Sequence, residues 1–189
     1  IGSIINVSVH CGQYLPDWRP GQDYRQTVSA RKELGGGVLL ELSHEFDYLR
    51  WLFGDIDTVV ANMVNTNTLE IDVEDRVDVL IKFSQGFSGL VHLNFLDKKA
   101  QRLLYINGLN GNISCDLINH KISIDIANDK TTLDLSQERN NLYLDELNCF
   151  LECVKHNSTP PIGISDGIEV VKIVEAIKQS SNTKKWVNI

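Results

Sequence analysis

The chain has 189 residues, 42% of them hydrophobic, and a formal net charge of −7. An acidic chain of this kind argues against binding of nucleic acids or anionic membranes, because phosphate recognition needs clustered Lys and Arg. No apolar run is long enough to cross a bilayer, and the first residues carry no secretory pattern. These properties predict a cytoplasmic protein with enough apolar residues for a sizeable core.

The four cysteines, Cys11, Cys115, Cys149 and Cys153, show no paired metal-ligand spacing. Cys149 and Cys153 are four residues apart and would share a helix face, but two thiols make an incomplete zinc site. We therefore predict no metal site, and expect the cysteines to be small apolar residues in a reducing compartment.

The first third of the chain predicts one strand, one irregular segment and one helix. Within residues 3–11 the β-branched residues Ile5, Val7 and Val9 occupy alternate positions, which indicates a strand. Residues 12–34 are polar and contain Pro16 and Pro20, which break regular structure. Residues 38–53 have helical periodicity, and Gly54 is a suitable C-terminal stop.

A long region of β pattern follows. Residues 57–67 predict one strand, and three hairpins follow with turns at Gln85–Gly86, at 108–111 and near Asn128–Asp129. Because consecutive hairpins pair neighbouring strands in opposite directions, this region predicts an antiparallel sheet.

Two helices and a short edge strand close the chain. The first helix covers 140–157 and places one apolar stripe on one side: Leu144, Leu147, Leu151 and Val154. The second begins with Ser165 as N-cap and turns another stripe inward: Ile168, Val171, Val174 and Ile177. Residues 184–189 suit a last edge strand.

This order of elements predicts an α+β fold in one domain, residues 1–189. It has a large, mostly antiparallel, open-faced sheet with helices packed on one face. The opposite face would need a cover, and formation of a homodimer or homotetramer through that face is one way to provide it. The chain starts at Ile1 directly in a strand pattern, so we expect a piece of a longer protein.

The predicted helix over 38–53 has two chemically different faces. One is apolar: Val38, Leu42, Phe46, Leu49 and Phe53. The other holds Glu41, His44, Tyr48 and Trp51, with Asp47 beside His44. This face is either solvated, with a weak pair between Glu41 and His44, or the wall of a pocket. Imidazole exchanges protons near neutral pH, and the preceding glycines Gly36 and Gly37 permit close approach of a ligand or another chain.

The loop over 13–32 contains aromatic and arginine side chains, in "DWRPGQDYR". Such a loop can be merely solvated. Trp and Tyr are poor solvating residues, however, and Arg offers a planar fork for carboxylate or phosphate. We therefore predict a substrate-binding loop with these contacts: Trp18, Arg19, Tyr24 and Arg25.

The segment "GGGVLLELSHEFDYLRWLFG" resembles a helix of the glucose–fructose oxidoreductase / inositol dehydrogenase / MocA family, in its second, C-terminal domain. The segments "VEDRVDVLIKFSQGFSGLVHLNF", "INGLNGNISCDL" and "YLDELNCFLECVKHN" resemble the later parts of that domain in the same order. The resemblance covers the whole chain. The family's dinucleotide-binding domain, with its Gly-rich phosphate turn and Glu-Lys-Pro segment, has no counterpart here.

The resemblance implies a substrate-binding and oligomerising domain of an NAD- or NADP-dependent oxidoreductase that acts on a sugar, sugar nucleotide or polyol. It makes His44 the acid/base, with Asp47 as the acidic residue that follows it. Tyr48, on the same face, is predicted as a further substrate contact, and Gly36 and Gly37 as contacts of a cofactor bound mainly by the missing domain. The family's catalytic Asp lies four residues before the His, where this chain has Leu40. Glu41, three residues before, is the nearest carboxylate.

A second hypothesis is a non-catalytic ligand-binding or assembly module that uses the exposed sheet face. Leu40 at the position of an expected Asp favours this alternative.

Overall fold

The computed structural model describes residues 1–127 and 129–189. In this part of the chain the elements are β1 (Ile4–Gly12), α1 (Val38–Glu41), α2 (His44–Phe53), β2 (Ile56–Val64), β3 (Arg76–Phe83), β4 (Ser88–Asn94), β5 (Gln101–Gly108), β6 (Gly111–Asp116), β7 (Lys121–Ile126), β8 (Asp129–Asp134), α3 (Arg139–His156), α4 (Ile164–Thr183) and β9 (Val187–Asn188). The irregular segment between β1 and α1 contains short 3₁₀ turns. No helix among the described residues is long and apolar enough to cross a membrane.

The strands form one sheet in the order β8-β7-β6-β5-β1-β4-β3-β2-β9. Among the strands of residues 1–127 and 129–189, β1 and β4 pair in parallel and the other neighbours pair antiparallel. The predicted α+β class with a mostly antiparallel sheet is confirmed. The first two hairpins turn where expected, at Gly86 and between Gly108 and Gly111. The third joins Ile126 to Asp129, and Asn128 of its predicted turn lies outside the described residues.

One face of the sheet forms the core. Val77, Val79 and Ile81 of β3 are fully buried because alternate residues of a strand point to the same face. The apolar stripe of α2 and the second half of α4, with Ile173, Val174 and Ile177, belong to the same core cluster as this face. On the opposite face the side chains of Leu80 and Leu90 remain exposed.

The helix α4 starts two residues earlier than predicted. Gly163, not Ser165, precedes its first turn, and the Gly163 N–H donates to the Asp166 carboxylate at 2.8 Å. A carboxylate three residues into the helix can satisfy an N–H at its start, so a serine cap is not needed. In the predicted inward stripe Val174 and Ile177 are buried, whereas Ile168 and Val171 are 50% and 60% exposed.

The helix α3 differs most from expectation. Its predicted apolar stripe exists, but its described side chains are exposed except that of Cys153, which is half-buried. Leu147 and Leu151, for example, are 51% and 50% exposed. The stripe therefore has no cover among residues 1–127 and 129–189.

The predicted continuous helix over 38–53 is two helices. Between α1 and α2 the backbone tightens: Glu45 N–H donates to Leu42 O at 3.1 Å, and Phe46 N–H to Ser43 O at 3.0 Å. Bonds that span three residues rather than four belong to a 3₁₀ turn. The Ser43 hydroxyl also donates to the Leu40 carbonyl, at 2.9 Å. Because such a bond competes with regular helical bonding, Ser43 accounts for a break at this place.

Candidate active site

A cleft of about 270 Å³ opens beside the first turn of α2. Its walls come from the end of β1, the loop that follows β1, the break between α1 and α2, and the start of β5. The polar side chains that line it are Gln13, Trp18, His44, Gln101 and Arg102. The predicted pocket beside His44 is therefore present.

His44 stands at this cleft with a half-exposed side chain. Its Nε2 lies 3.2 Å from Oε1 of Glu45, the next residue along α2. Because a carboxylate that accepts from one ring nitrogen orients the ring and stabilises its protonated form, His44 has the environment of a proton acceptor. Glu45 does not contact the second ring nitrogen, Nδ1.

Glu45 is fully buried, and its carboxylate is held by side chains from two elements. Arg102 Nε of β5 donates to Oε1 at 2.7 Å, and the Tyr48 hydroxyl of α2 donates to Oε2 at 2.8 Å. Burial alone would raise the pKa of Glu45, but the hydrogen bond from His44, the Arg102 charge and the Tyr48 hydroxyl outweigh it and lower that pKa. Glu45 is thus an ionised, buried carboxylate behind His44.

The neighbouring groups of this cluster stay neutral. Burial, followed by the charge of Glu45, raises the pKa of Tyr48, so its hydroxyl keeps the proton that it donates. The same two causes, burial first, raise the pKa of Cys11 to about 12. Since a thiolate rather than a thiol is the nucleophile, Cys11 lines the cleft as an apolar group.

The three predicted catalytic residues do not lie together. Asp47 lines a separate depression with Arg50, Trp51 and Asp166. Glu41 makes no hydrogen bond or ion pair with His44 among the residues described. In this structure the carboxylate that contacts His44 is Glu45.

The predicted substrate loop is divided in the same way. Trp18 lines the cleft, where its ring packs edge-on against Phe95 with centroids 5.3 Å apart. Arg25 donates to Asp23 at 2.8 Å and also pairs with Glu70, so its charge is compensated on the surface. Neither Arg25 nor its neighbours Arg19 and Tyr24 line the cleft beside His44.

The glycines before α1 are in close contact with their own chain. A Cβ at Gly36 would lie 2.2 Å from the Val28 carbonyl oxygen. Gly37 has φ +113°, and a Cβ there would lie 2.4 Å from the Glu74 carboxylate. That carboxylate accepts the Leu39 N–H at 3.1 Å. The start of α1 is thus occupied by an acidic side chain of the same chain, which disfavours a phosphate at this position.

Glu45 and Arg102 are functional candidates that the sequence prediction omitted. On a helical wheel Glu45 falls about 20° from Val38, inside the apolar stripe. Because a buried carboxylate needs a hydrogen-bond or charge partner, the position of Glu45 in this stripe indicates a buried polar contact. Arg102 lies two residues before the buried Leu104, and therefore on the same face of β5. Its contact with Glu45, which is 57 residues away, could not be predicted from local sequence.

An open sheet with helices on one face, and a cleft with an imidazole backed by a buried carboxylate, define an α+β domain with a candidate site. The chain belongs to the glucose–fructose oxidoreductase / inositol dehydrogenase / MocA family: the model described as "Oxidoreductase family, C-terminal alpha/beta domain" matches residues 1–189. A comparison with curated proteins finds no match.

Solved structures share this fold at low sequence identity. Levoglucosan dehydrogenase in complex with NADH and levoglucosan is 20% identical with a TM-score of 0.87, and the match covers 100% of this chain and 59% of that one. Aldose-aldose oxidoreductase from Caulobacter crescentus complexed with glycerol is 17% identical (TM-score 0.85; 100% and 56% covered). An oxidoreductase from Agrobacterium radiobacter in complex with NAD+, L-tartaric acid and magnesium is 19% identical (TM-score 0.82; 100% and 57% covered). The chain thus spans less than two thirds of each of these proteins.

Proposed function

We propose that this chain is the substrate-binding domain of an NAD- or NADP-dependent oxidoreductase that oxidises a hydroxyl group of a sugar, sugar nucleotide or polyol. His44 is the acid/base of that reaction. The observation that carries the proposal is the placement of the His44 imidazole at a cleft, 3.2 Å from the buried carboxylate of Glu45.

In this reaction the chain transfers a proton between the substrate hydroxyl and His44. The hydroxyl proton of the substrate passes to the ring nitrogen of His44 that does not contact Glu45. The resulting imidazolium is stabilised by the Glu45 carboxylate, which Arg102 and Tyr48 hold in place. In the reverse direction the same nitrogen returns the proton to the carbonyl oxygen.

A nicotinamide dinucleotide supplies the hydride acceptor when it is bound. The described residues fit the nicotinamide end of such a molecule, because the cleft beside His44 is open to solvent. They do not fit its phosphates at the Gly-rich start of α1, because the Glu74 carboxylate occupies that position. We propose that the phosphates are held by a further domain, so that Gly36 and Gly37 support the wall of the cleft and do not contact the phosphates.

The exposed stripe of α3 supports the presence of that further domain. Leu147, Phe150 and Val154 are 51%, 59% and 63% exposed, and exposed apolar surface of this extent marks an interaction site. The related structures are longer than this chain, which corresponds to 59% and 56% of two of them. We propose that a preceding dinucleotide-binding domain is present in the complete protein.

The sugar class is supported by the neighbours alone. Those structures hold levoglucosan and glycerol, both polyhydroxylated, and one holds L-tartaric acid. For the predicted contacts, Trp18 lines the cleft, while Tyr48 acts through Glu45. Arg19, Tyr24 and Arg25 would reach a substrate only where it extends beyond the cleft towards the loop.

The test is a panel of sugars and polyols with NAD+ and NADP+, assayed on the complete protein with His44→Ala. We expect a loss of about 10²- to 10⁴-fold in kcat, the usual contribution of a general base. His156→Ala is the matched control, because His156 is an exposed histidine that also pairs with a glutamate, Glu152, at 3.0 Å. An unchanged rate for His44→Ala would exclude His44 as the acid/base, and no turnover of any sugar or polyol by the unmodified protein would favour the non-catalytic module.

A second proposal concerns assembly through the open sheet face. This face carries the exposed side chains of Leu80 and Leu90, together with two carboxylate–histidine pairs, His10–Asp97 at 2.6 Å and His92–Asp78 at 2.5 Å. A mixture of apolar and paired polar groups is typical of protein interfaces, so we propose a homodimer or homotetramer through this face.

Analytical ultracentrifugation tests the proposed assembly. Leu90→Glu places a charge in the middle of the face and is expected to yield monomers. Leu109→Glu, at the exposed β5–β6 turn, adds the same charge elsewhere and is expected to leave the assembly intact. A monomeric unmodified protein would exclude this proposal.

A further inference from the structure

The cleft beside His44 is lined by a cationic side chain and by amides. Arg102 contributes a guanidinium. Gln13 and Gln101 contribute amide groups, which both donate and accept, and the Gln101 amide N–H donates to Asp97 at 3.3 Å. No Asp or Glu side chain is among the described residues that line it, although the chain as a whole carries a net charge of −7. This composition distinguishes the cleft from the rest of the surface.

The guanidinium of Arg102 is fixed but only partly used. Its Nε donates to Glu45, and its Cζ lies 5.9 Å from the centre of the Tyr48 ring. A guanidinium has five N–H donors, and neither terminal nitrogen has a protein acceptor within the described parts of the chain. The side chain is 36% exposed. Four donors on two adjacent nitrogens are thus presented by a side chain that cannot rotate away without breaking its hydrogen bond to the buried Glu45.

Trp18 provides a probe of this cleft and is not one of its open donors. The residue lines the cleft, but its indole Nε1 is buried and has no hydrogen-bond partner among the described residues. A ligand in the cleft changes the surroundings of the ring, so that the indole N–H resonance reports binding.

The chemical class of the ligand follows from the lining. A sugar hydroxyl can pair with His44 or with the amide groups of Gln13 and Gln101, which donate and accept, whereas the terminal nitrogens of Arg102 only donate. An ionised carboxylate only accepts. Its two oxygens match the paired N–H groups of a guanidinium in a bidentate contact.

We propose that the substrate is an acidic sugar or polyol acid, and that Arg102 binds its carboxylate while His44 takes the proton of a hydroxyl on the same molecule. The oxidation itself rests on the proposed function, but the binding of the carboxylate does not. Arg102 then sets the substrate class, and Glu45 serves both sides of the cleft: it orients the arginine and stabilises the imidazolium.

The test compares three ligands that share a pyranose ring: sodium D-glucuronate, D-glucose and D-glucose 6-phosphate. Each is titrated into the ¹⁵N-labelled chain while the indole N–H resonance of Trp18 and the Nε–H resonance of Arg102 are followed by NMR. The Trp18 signal is assigned with Trp18→Phe. We expect saturable shifts of both resonances with glucuronate. The Kd of glucose should be at least about ten times higher, because glucose lacks the charge-assisted hydrogen bond to Arg102.

Equal binding of glucose and glucuronate would overturn the proposal, as would no response of Arg102 to glucuronate. Shifts with D-glucose 6-phosphate but not with glucuronate would overturn the proposal in favour of a phosphosugar site. Because these outcomes need no variant and no turnover, they separate this proposal from the proposed reaction. Oxidation of neutral sugars without glucuronate binding would contradict this inference and leave the proposed function intact.

Two variants locate the selectivity. Arg102→Lys keeps a positive charge beside Glu45 but loses the planar fork, and is expected to reduce the preference for glucuronate by about tenfold. Arg31→Lys is the control, since Arg31 is 34% exposed, pairs with one carboxylate, that of Glu33, and does not line this cleft. An unchanged preference in a folded Arg102→Lys protein would assign the carboxylate to another residue.

Discussion

The helices α2 and α3 have similar apolar stripes in the sequence and opposite environments in the structure. Phe46 and Leu49 of α2 are fully buried against the sheet, whereas Leu147 and Phe150 of α3 are 51% and 59% exposed. The two helices show that amphipathic periodicity indicates a face to be buried, but not which surface buries it. For α2 the covering surface is within these 189 residues; for α3 it is not among those described.

The comparison predicts very different costs for the same substitution in the two helices. Phe46→Ala removes a ring from the closed core and is expected to lower the free energy of unfolding by about 3–5 kcal/mol. Phe150→Ala removes a ring that is already in solvent, and is expected to change it by less than about 0.5 kcal/mol. Urea unfolding followed by circular dichroism measures both. Similar losses in the two variants would mean that α3 is packed within the chain.

A second difference is that α2 carries a buried charge, whereas the charged side chains described for α3 are exposed. Arg102→Ala leaves Glu45 with only Tyr48 and His44 as partners, and we expect a loss of about 2 kcal/mol in unfolding free energy, because the remaining carboxylate is desolvated. Arg31→Ala, at similar exposure, is expected to cost less than about 0.5 kcal/mol. Equal effects in urea unfolding would show that the Glu45–Arg102 contact adds nothing to stability.

The buried carboxylate also predicts a pH dependence. Because the pKa of Glu45 is lowered in the folded chain, its contribution to stability is fully present above the ordinary value of 4.5 and is lost as the pH falls through the lower folded-state pKa. Glu45→Gln should therefore flatten the acid limb of the stability curve, measured by thermal unfolding at a series of pH values.

Glu74 provides a control with the opposite sign. Burial raises the pKa of Glu74, so its contribution is present at low pH and is lost as the pH rises through the raised folded-state value. Glu74→Gln should remove a decline in stability above pH 4.5 and leave the acid limb unchanged. If both substitutions flattened the same limb, the assignment to Glu45 would be wrong.

Much of the sheet could be predicted from the sequence because its signals are local. Glycines at 86, 108 and 111 mark turns, and the alternation in β3 assigns Val77, Val79 and Ile81 to one face. Such features depend on neighbouring residues only. The break between α1 and α2 was missed, because Ser43 and its bond to Leu40 lie within an otherwise regular apolar period.

The site was harder to predict because its partners are distant in sequence. His44 could be singled out on its helix, and the structure places it at a cleft. Its carboxylate partner was predicted as Glu41 by spacing, but the contact is made by Glu45. Arg102 reaches Glu45 only because β5 lies beside β1 in the sheet, which local patterns do not specify.

The smallest expected effect on stability tests the exposed stripe of α3 directly. The double variant Leu147→Asp, Leu151→Asp should leave the unfolding free energy of the chain within about 0.5 kcal/mol of its original value, because both side chains are half exposed. It should lower the binding of the dye ANS, which reports exposed apolar surface. Asn141→Asp, Asn148→Asp adds the same charge to the same helix without removing apolar surface, so its dye binding separates charge from hydrophobicity. A destabilisation of more than about 1 kcal/mol in the leucine variant alone would show that the stripe is buried by this chain itself, and the case for a covering domain would lose its structural support.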